Sequence, residues 1–391
     1  MARKAFGLMA IVTISALIFA SCGDDGAEDE EPYRVGVLES LTGLGETYGT
    51  AANDSKQMAL DEINAAGGIN GRKLELVVED SKCNAQDAIT AYHKLTDVEN
   101  LKIILGTSCS ASMLGVAPLA ENDGNILFSG LAVHPDIAHA GDYIFRTSIN
   151  GEKLGMGVGN LMWDDGVRTV ATLSESTDYA EGARLTTAEQ FQVRGGRVSA
   201  EERFPSDTTD FRTPLTKLLD MKPDAIFIAA QAEFSGGTAL KQLRELGYEG
   251  PIYTEVVTIG ATALEIAGNA ANGLKAVVTY LDPNNAKAQE VVAKFRERYN
   301  YLTLAWYVGS AYDDVYITAE CLRRTGDDQD AEGFRDCLYD ITWDGAIGDN
   351  YGFDELGEVT GLLPAIVEVL PTDDRNEDNQ GLKMVGYAVI D

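Results

Sequence analysis

The sequence predicts an α/β protein with two doubly wound, Rossmann-like lobes. The clearest observation is one strand–helix–strand unit over residues 33–82. Apolar residues alternate around Val35 and Val37, a glycine-rich turn and a helical pattern follow, and a second alternation includes Leu76 and Val78. Two parallel strands need such a crossover, and ligands bind where the first strand of an open α/β sheet ends.

The second observation is that strand and helix patterns alternate along most of the remaining chain. Further strands are predicted at 102–107, 126–129, 143–146, 168–173, 197–203, 224–230, 251–254 and 274–280. Helices are predicted at 85–98, 112–120, 154–163, 179–193, 211–219, 237–246, 286–299 and 309–325. This order favours mostly parallel sheets, and the third observation, a length of 391 residues, favours two lobes rather than one core.

The N-terminus predicts export. Two basic residues precede an apolar run that is short for a membrane helix, and small residues then lead to Cys22. The segment 19–22 resembles a bacterial lipobox, so we expect a signal peptide over 1–21, lipidation at Cys22 and an acidic tether over 22–32. This places the protein in the periplasm or at the cell surface, anchored to a membrane. The alternative is an ordinary cleaved signal that leaves a spare thiol.

Four further cysteines predict two disulfides in an oxidising compartment. Cys83 and Cys109 each follow a predicted strand, so they lie at one sheet edge if those strands are parallel neighbours. Cys321 and Cys337 lie on consecutive helical segments joined by an acidic loop. We therefore expect the pairs Cys83–Cys109 and Cys321–Cys337.

Charge and motif content exclude several classes of function. The chain has 62 acidic and 31 basic residues, a formal charge of −31, which repels nucleic acid. The three histidines lack the spacing of a zinc pair, and no phosphate-binding loop or nucleophile elbow lies at a strand–helix junction. We therefore predict a protein that is not an enzyme and holds no metal or cofactor.

Small hydroxyl residues in the turns after strands indicate binding. Such turns occur at 41–43, 106–110 and 174–178, each followed by a helix. Hydroxyls and free N–H groups at a helix N-terminus can receive a carboxylate. The alternative is helix capping by Ser110, Ser112 and Asp178 without any ligand.

The chain resembles the leucine/isoleucine/valine-binding family of ABC-transporter solute-binding proteins. The motifs that carry the resemblance are DEINAAGGINGRKLELVVEDSKC, GTSCS, the tetrapeptide 179–182, EIAG at 265–268 and the stretch 348–354. It implies the type I periplasmic binding protein fold, a small-molecule ligand, a membrane permease as partner and a monomer. It also implies a hinge of three chain crossings, with lobe one over 33–147 plus 281–350 and lobe two over 148–280 plus 351–391.

The resemblance also implies ligand-binding residues. Ser110 would hold an α-carboxylate and Glu255 an α-ammonium, while Tyr179 would close over the ligand. Further contacts are expected from Tyr48, Leu131, Val133 and Gln231. Val133 and Gln231 depart from the amino-acid binders, which have threonine and tyrosine there.

Several functions are compatible with this pattern. The first is import of an amino acid of the branched-chain type or of a related small polar solute. The same scaffold would suit import of short amides, urea or aromatic carboxylates, or a sensory subunit that signals rather than transports.

Overall fold

In this computed structural model, residues 31–376 and 378–390 are described. The predicted signal peptide 1–21, the lipidation site Cys22 and most of the tether 22–32 lie outside the described residues. The strands are β1 Tyr33–Glu39, β2 Leu74–Asp80, β3 Ile103–Gly106, β4 Ile126–Ser129, β5 Ile144–Arg146, β6 Thr169–Glu175, β7 Arg197–Phe204, β8 Ala225–Ala229, β9 Ile252–Thr254, β10 Lys275–Val278, β11 Gly352–Phe353, β12 Val359–Thr360, β13 Ala365–Val369 and β14 Leu382–Tyr387.

The α-helices alternate with these strands. They are α1 Glu46–Ala65, α2 Ala85–His93, α3 Ser110–Asp123, α4 Gly151–Asp164, α5 Asp178–Val193, α6 Arg212–Asp220, α7 Glu233–Glu245, α8 Ala261–Ala267, α9 Ala286–Tyr299, α10 Ala305–Thr325 and α11 Ala331–Asp340. Within the described part of the chain, no helix is long and apolar enough to cross a membrane.

Lobe one contains a five-stranded parallel sheet in the order β2-β1-β3-β4-β5. Its inner strands are buried on both faces, as parallel sheets require, and Val35 and Val37 are fully buried. Helix α10 packs along α1, where Ser55 Oγ donates to the carbonyl of Val308 at 2.6 Å. The C-terminal helices therefore complete the lobe that the N-terminal strands begin.

Lobe two contains a seven-stranded sheet in the order β14-β13-β10-β9-β8-β6-β7. The strands β6 to β10 are parallel, and β13 and β14 extend the sheet in antiparallel pairs. The two α/β lobes and their parallel sheets confirm the predicted fold class.

The chain passes between the lobes after β5, after β10 and after β12. The last crossing lies later than predicted. The family resemblance implies that residues from 351 onward belong to lobe two, but the β11–β12 hairpin lies against lobe one. A buried ion pair between Arg146 Nε and Glu358 Oε1 at 2.6 Å holds it there, and Trp343 forms a β-bridge with Tyr351.

Two predicted helix starts lie too late in the sequence. Helix α7 begins at Glu233 rather than at 237, because the Glu175 carboxylate accepts the N–H groups of Gln231 and Ala232 just before it. Helix α10 begins at Ala305 rather than at 309. The glycines at 236, 237 and 309 weaken the local helical signal, and tertiary contacts override it.

Each parallel sheet reverses its strand order at one point, between β1 and β3 in lobe one and between β6 and β8 in lobe two. The loops at the carboxyl ends of these strands are where open α/β sheets bind ligands. The candidate site is therefore built from the turns after β1, β3, β6 and β8 and from the loops next to them.

Candidate functional site

Ser110 lies at the N-terminus of α3, directly after the turn that follows β3. It is buried, and its Oγ accepts the backbone N–H of His134 at 3.3 Å. The helix has no side-chain cap, so its first N–H groups lack partners within the helix. Ser110 is the first residue of the helix, so it is not the N-cap that the capping alternative requires. The N-terminus of α3 is therefore free to bind an anion.

The other capping residues also differ from the capping alternative. Thr177 rather than Asp178 caps α5, by accepting the N–H of Ala180 at 3.3 Å. Ser112 Oγ donates to the carbonyl of Asn84 at 3.3 Å and therefore connects α3 to the turn before α2.

Leu131 and Val133 lie on the buried loop after β4. Leu131 donates its backbone N–H to Ser129 Oγ at 3.3 Å. The carbonyl of Val133 accepts the N–H of Gly151, the first residue of α4, at 2.7 Å. These contacts use the backbone only, so the loop can offer apolar side chains but no hydroxyl at Val133.

Tyr48 joins the two lobes. Its hydroxyl hydrogen-bonds with Gln231 Nε2 of lobe two and lies 3.3 Å from the Gln231 carbonyl. It also lies 3.4 Å from Cys109 Sγ, and the Tyr48 ring centroid lies 5.7 Å from that of Tyr307. Gln231 therefore occupies the interlobe contact and holds the lobes together in this structure.

Glu255 is buried in lobe two and surrounded by neutral donors. Tyr179 Oη donates to Oε2 at 2.5 Å, and Oε2 also accepts the N–H of Val257 at 2.5 Å. Oε1 accepts the hydroxyl of Thr258 at 2.5 Å and the N–H of Ala230 at 3.1 Å. Burial raises the pKa of Glu255, while these hydrogen bonds oppose the rise.

The predicted residues form separate groups. Tyr48 contacts Gln231, Tyr179 contacts Glu255, and Ser110 contacts the loop that carries Val133. A cavity of about 30 Å³ brings Val133, Tyr179 and Glu255 together. Ligand sites in proteins usually measure about 300–1,000 Å³, so the lobes must separate before a ligand of amino-acid size can enter.

A larger crevice lies elsewhere. It measures about 820 Å³ and is lined by α8, the α9–α10 loop and the β13–β14 loop, and none of the predicted ligand residues belongs to it. Gln380, which belongs to lobe two, reaches across this region. Its side chain accepts the N–H of Ala305 at 3.0 Å and donates to the carbonyl of Thr303 at 2.8 Å. The crevice is a gap beside an interlobe contact.

Sequence reasoning missed two acidic residues at the cleft. Glu175 ends β6 and Glu233 begins α7, so both lie at the strand-order reversal of lobe two. Glu233 Oε2 accepts the N–H of Thr262 at 2.8 Å, and a side chain at Gly260 would collide with the Glu233 carboxylate. The turn 174–178 is predicted to bind through its hydroxyls. The signal that could have identified Glu175 is its position in that turn, at the end of a strand.

Tyr307, at the first turn of α10, was also missed. Its ring packs between those of Tyr48 and Trp306, with centroid distances of 5.7 and 4.9 Å. Its predicted helix began after it, so the sequence offered no reason to place it at the cleft.

The structure contains both predicted disulfides. The strands before Cys83 and Cys109 are parallel but are not the neighbours that the prediction assumed, because β1 lies between β2 and β3. The Cα atoms are 5.3 Å apart in Cys83–Cys109 and 5.6 Å apart in Cys321–Cys337. The first disulfide lies beneath Tyr48, whose hydroxyl is within 3.7 Å of both sulfurs. Across residues 31–376 and 378–390, no group of three or more His, Cys, Asp or Glu is arranged to hold a metal ion.

Residues 32–363 match the family model described as periplasmic binding protein. The chain is 24% identical over 334 residues to the leucine-, isoleucine-, valine-, threonine- and alanine-binding protein of Pseudomonas aeruginosa, covering 84% of this chain and 87% of that protein. It is 22% identical over 246 residues to the Leu/Ile/Val-binding protein of Escherichia coli K12, covering 62% and 66%.

Solved structures share the fold. A leucine-binding protein from Thermotoga maritima superposes with a TM-score of 0.81 at 22% identity, covering 91% of this chain and 98% of that one. A solute-binding protein from Rhodopseudomonas palustris in complex with 3,4-dihydroxybenzoic acid superposes with a TM-score of 0.80 at 21% identity, covering 91% and 96%. The matches confirm the predicted class, a solute-binding protein rather than an enzyme, and the chain belongs to the periplasmic binding protein family.

Proposed function

We propose that this protein binds an α-amino acid between its lobes and delivers it to the permease of an ABC importer. It would be a monomer, held at the membrane through lipidated Cys22. Relatives and structural neighbours are named for binding branched-chain amino acids, and three neighbours were solved with aromatic acids.

The observation that carries the proposal is the pairing of opposite chemistries across the cleft. Lobe one presents the uncapped N-terminus of α3 with Ser110, which suits a carboxylate. Lobe two presents the buried carboxylate of Glu255, which suits an ammonium group. An α-amino acid carries both groups and would contact both lobes at once.

Tyr179 and Gln231 would respond to the ligand. The Tyr179 hydroxyl donates to Glu255 and would keep that carboxylate oriented while an ammonium approaches. Gln231 would exchange its contact with Tyr48 for one with the ligand. Because a ligand that contacts both lobes stabilises only the closed form, binding shifts the population toward closure, the form that the permease would receive.

Calorimetry on the purified protein tests this proposal with leucine, lysine, acetamide, urea and benzoate. At least one α-amino acid should bind, and Glu255→Gln should weaken it by about 1.5–3 kcal/mol, because a charged hydrogen bond is lost. Ser110→Ala should weaken it by about 1 kcal/mol. The control Glu249→Gln removes an exposed acid of lobe two and should leave affinity unchanged.

Four results would contradict the proposal. If benzoate alone bound, an aromatic carboxylate importer would replace it, since such a ligand has no ammonium for Glu255. If both cleft variants bound an amino acid as tightly as the parent, the site would lie elsewhere. Amide or urea binding would favour the importers of those solutes, and a protein that binds but supports no uptake in membrane vesicles with its permease would favour the sensory role.

A further inference from the structure

Three buried carboxylates line the lobe-two side of the cleft. Glu175, Glu233 and Glu255 are 0%, 3% and 7% exposed. Glu175 accepts the N–H of Gln231, whose side chain contacts Tyr48. Glu233 accepts the hydroxyl of Thr47, next to Tyr48, and Glu255 accepts the N–H of Ala230, next to Gln231. The three charges also reinforce the rise in the pKa of Tyr48 that burial causes. They therefore surround one point of the interlobe contact, although they come from three different elements.

Their partners are neutral. Glu233 receives the Thr262 N–H at 2.8 Å and the Thr47 hydroxyl of lobe one at 3.4 Å. Among the residues that the structure describes, no lysine or arginine nitrogen lies within 4.0 Å of any of the three carboxylates. Buried carboxylates without a cation cost free energy, so the cleft has more negative charge than the fold compensates.

Three buried polar atoms of these cleft residues have no hydrogen-bond partner, namely Glu175 Oε1, the hydroxyl of Tyr307 and Nε1 of Trp306. Only the first two can accept a hydrogen bond from a cation. The other Glu175 oxygen accepts the N–H groups of Gln231 and Ala232 at 2.8 and 3.3 Å, before α7. Capping of α7 therefore explains one oxygen of Glu175 and leaves the other unexplained. Buried polar atoms usually have a hydrogen-bond partner, and a ligand group bound between the lobes would supply one here.

The aromatic residues fit a cation as well. The rings of Tyr48, Tyr307 and Trp306 form a continuous cluster, which meets lobe two through the contact of Tyr48 with Gln231. Aromatic faces attract ammonium and guanidinium groups. Together with the carboxylates, the cluster would therefore favour a cationic side chain over a neutral apolar one.

We propose that Glu175 and Glu233 form a second cation subsite, which makes the preferred ligand an amino acid with a cationic side chain. This inference rests on the proposed function, because Glu255 is taken to hold the α-ammonium. Glu175 Oε1 and the Tyr307 hydroxyl would bind the side-chain ammonium or guanidinium, and Glu233 would balance its charge. A ligand with an aliphatic side chain would leave these groups unpaired.

Matched ligands test the subsite by calorimetry on the purified protein. Lysine is compared with norleucine, and arginine with citrulline, because each pair differs chiefly in the side-chain charge. We expect at least one cationic member to bind about 10- to 100-fold more tightly than its neutral counterpart. Glu175→Gln retains an oxygen for the N–H groups before α7 and should remove most of that preference, while norleucine affinity changes little.

Glu233→Gln should act in the same direction, and the control Glu249→Gln should preserve the preference. Retained norleucine binding shows that each variant is folded. If leucine or norleucine binds and lysine and arginine bind no more tightly, the subsite is wrong and the proposed function stands. If cadaverine binds while no α-amino acid does, the cation subsite stands and the proposed function falls. If neither amino acids nor cadaverine bind, both fail.

Discussion

Buried glutamates occur in both lobes of this protein, but among the described residues only those of lobe one, Glu39 and Glu358, have cationic partners. Glu39 pairs with Lys56 Nζ at 2.6 Å and Glu358 pairs with Arg146 Nε at 2.6 Å. In lobe two, Glu175, Glu233 and Glu255 accept hydrogen bonds from neutral donors only. Buried glutamates therefore stabilise the fold in lobe one and, on our proposal, bind the ligand in lobe two.

The difference has a physical meaning. A paired buried carboxylate is offset by its cation, and removal of the cation leaves an uncompensated charge. A carboxylate without a cation already has that cost in the folded protein, and function is the common reason for keeping such a residue. Substitutions that unpair a buried glutamate of lobe one and substitutions that neutralise an unpaired glutamate of lobe two should therefore change stability in opposite directions.

The largest effect is expected at the lobe-one pair. The Lys56 side chain is 1% exposed, and Glu39 also accepts the hydroxyl of Ser108. Lys56→Met would leave Glu39 buried without a cation and should lower the free energy of unfolding by about 3–5 kcal/mol. Urea unfolding followed by circular dichroism measures this change.

Lys94→Met is the matched control, because Lys94 contacts Glu79 at 2.5 Å but is 55% exposed. It should cost less than about 1 kcal/mol. The double variant Glu39→Leu/Lys56→Met removes both charges and should recover part of the loss. Equal effects of Lys56→Met and Lys94→Met would mean that burial does not distinguish the two pairs.

Asp314, on α10 of lobe one, offers an intermediate case. Its Oδ1 accepts the Thr147 hydroxyl at 2.8 Å, its Oδ2 has no partner, and burial raises its pKa to about 7. A raised carboxyl pKa means that the folded state holds the proton more strongly. The contribution of the protonated Asp314 carboxyl to stability is fully present below pH 4 and is lost as the pH rises toward 7.

Asp314→Asn removes the buried charge and should raise the free energy of unfolding by about 1–3 kcal/mol at pH 8. The gain should shrink toward zero at pH 4, where the parent is protonated. Urea unfolding of both proteins across this pH range measures it. The exposed control Asp336→Asn should show no such dependence, and a gain that is independent of pH would show that the Asp314 charge is not its cause.

The smallest effect is expected at Glu233 of lobe two. Burial raises the pKa of Glu233, so its contribution to stability also falls as the pH rises through that pKa. Glu233→Gln keeps an acceptor for Thr262 and should stabilise the ligand-free protein by up to about 1 kcal/mol at pH 8. Thermal unfolding at pH 8 and pH 4 measures the gain. If Glu233→Gln destabilised the protein at pH 8, the contrast between the paired glutamates of lobe one and the unpaired glutamates of lobe two would not hold.

Much of the fold could be predicted because its signals are local. Apolar alternation indicates the strands, helical spacing indicates the crossovers, and parallel order then brings Cys83 and Cys109 to one sheet edge. The β11–β12 hairpin escaped prediction because Glu358 belongs to lobe one through Arg146, 212 residues earlier. No local pattern in a two-residue strand carries that information.

The sequence by itself determined the fold class, both disulfide pairs and the solute-binding family, since these depend on local periodicity and on motifs. It could not select the important acids, because 62 acidic residues look alike until burial and partners are known. Only the tertiary structure brought Glu175, Glu233 and Glu255 close to Tyr48, with no lysine or arginine of the described residues beside them. The physical reason is that burial and charge compensation depend on what other elements bring to the same point.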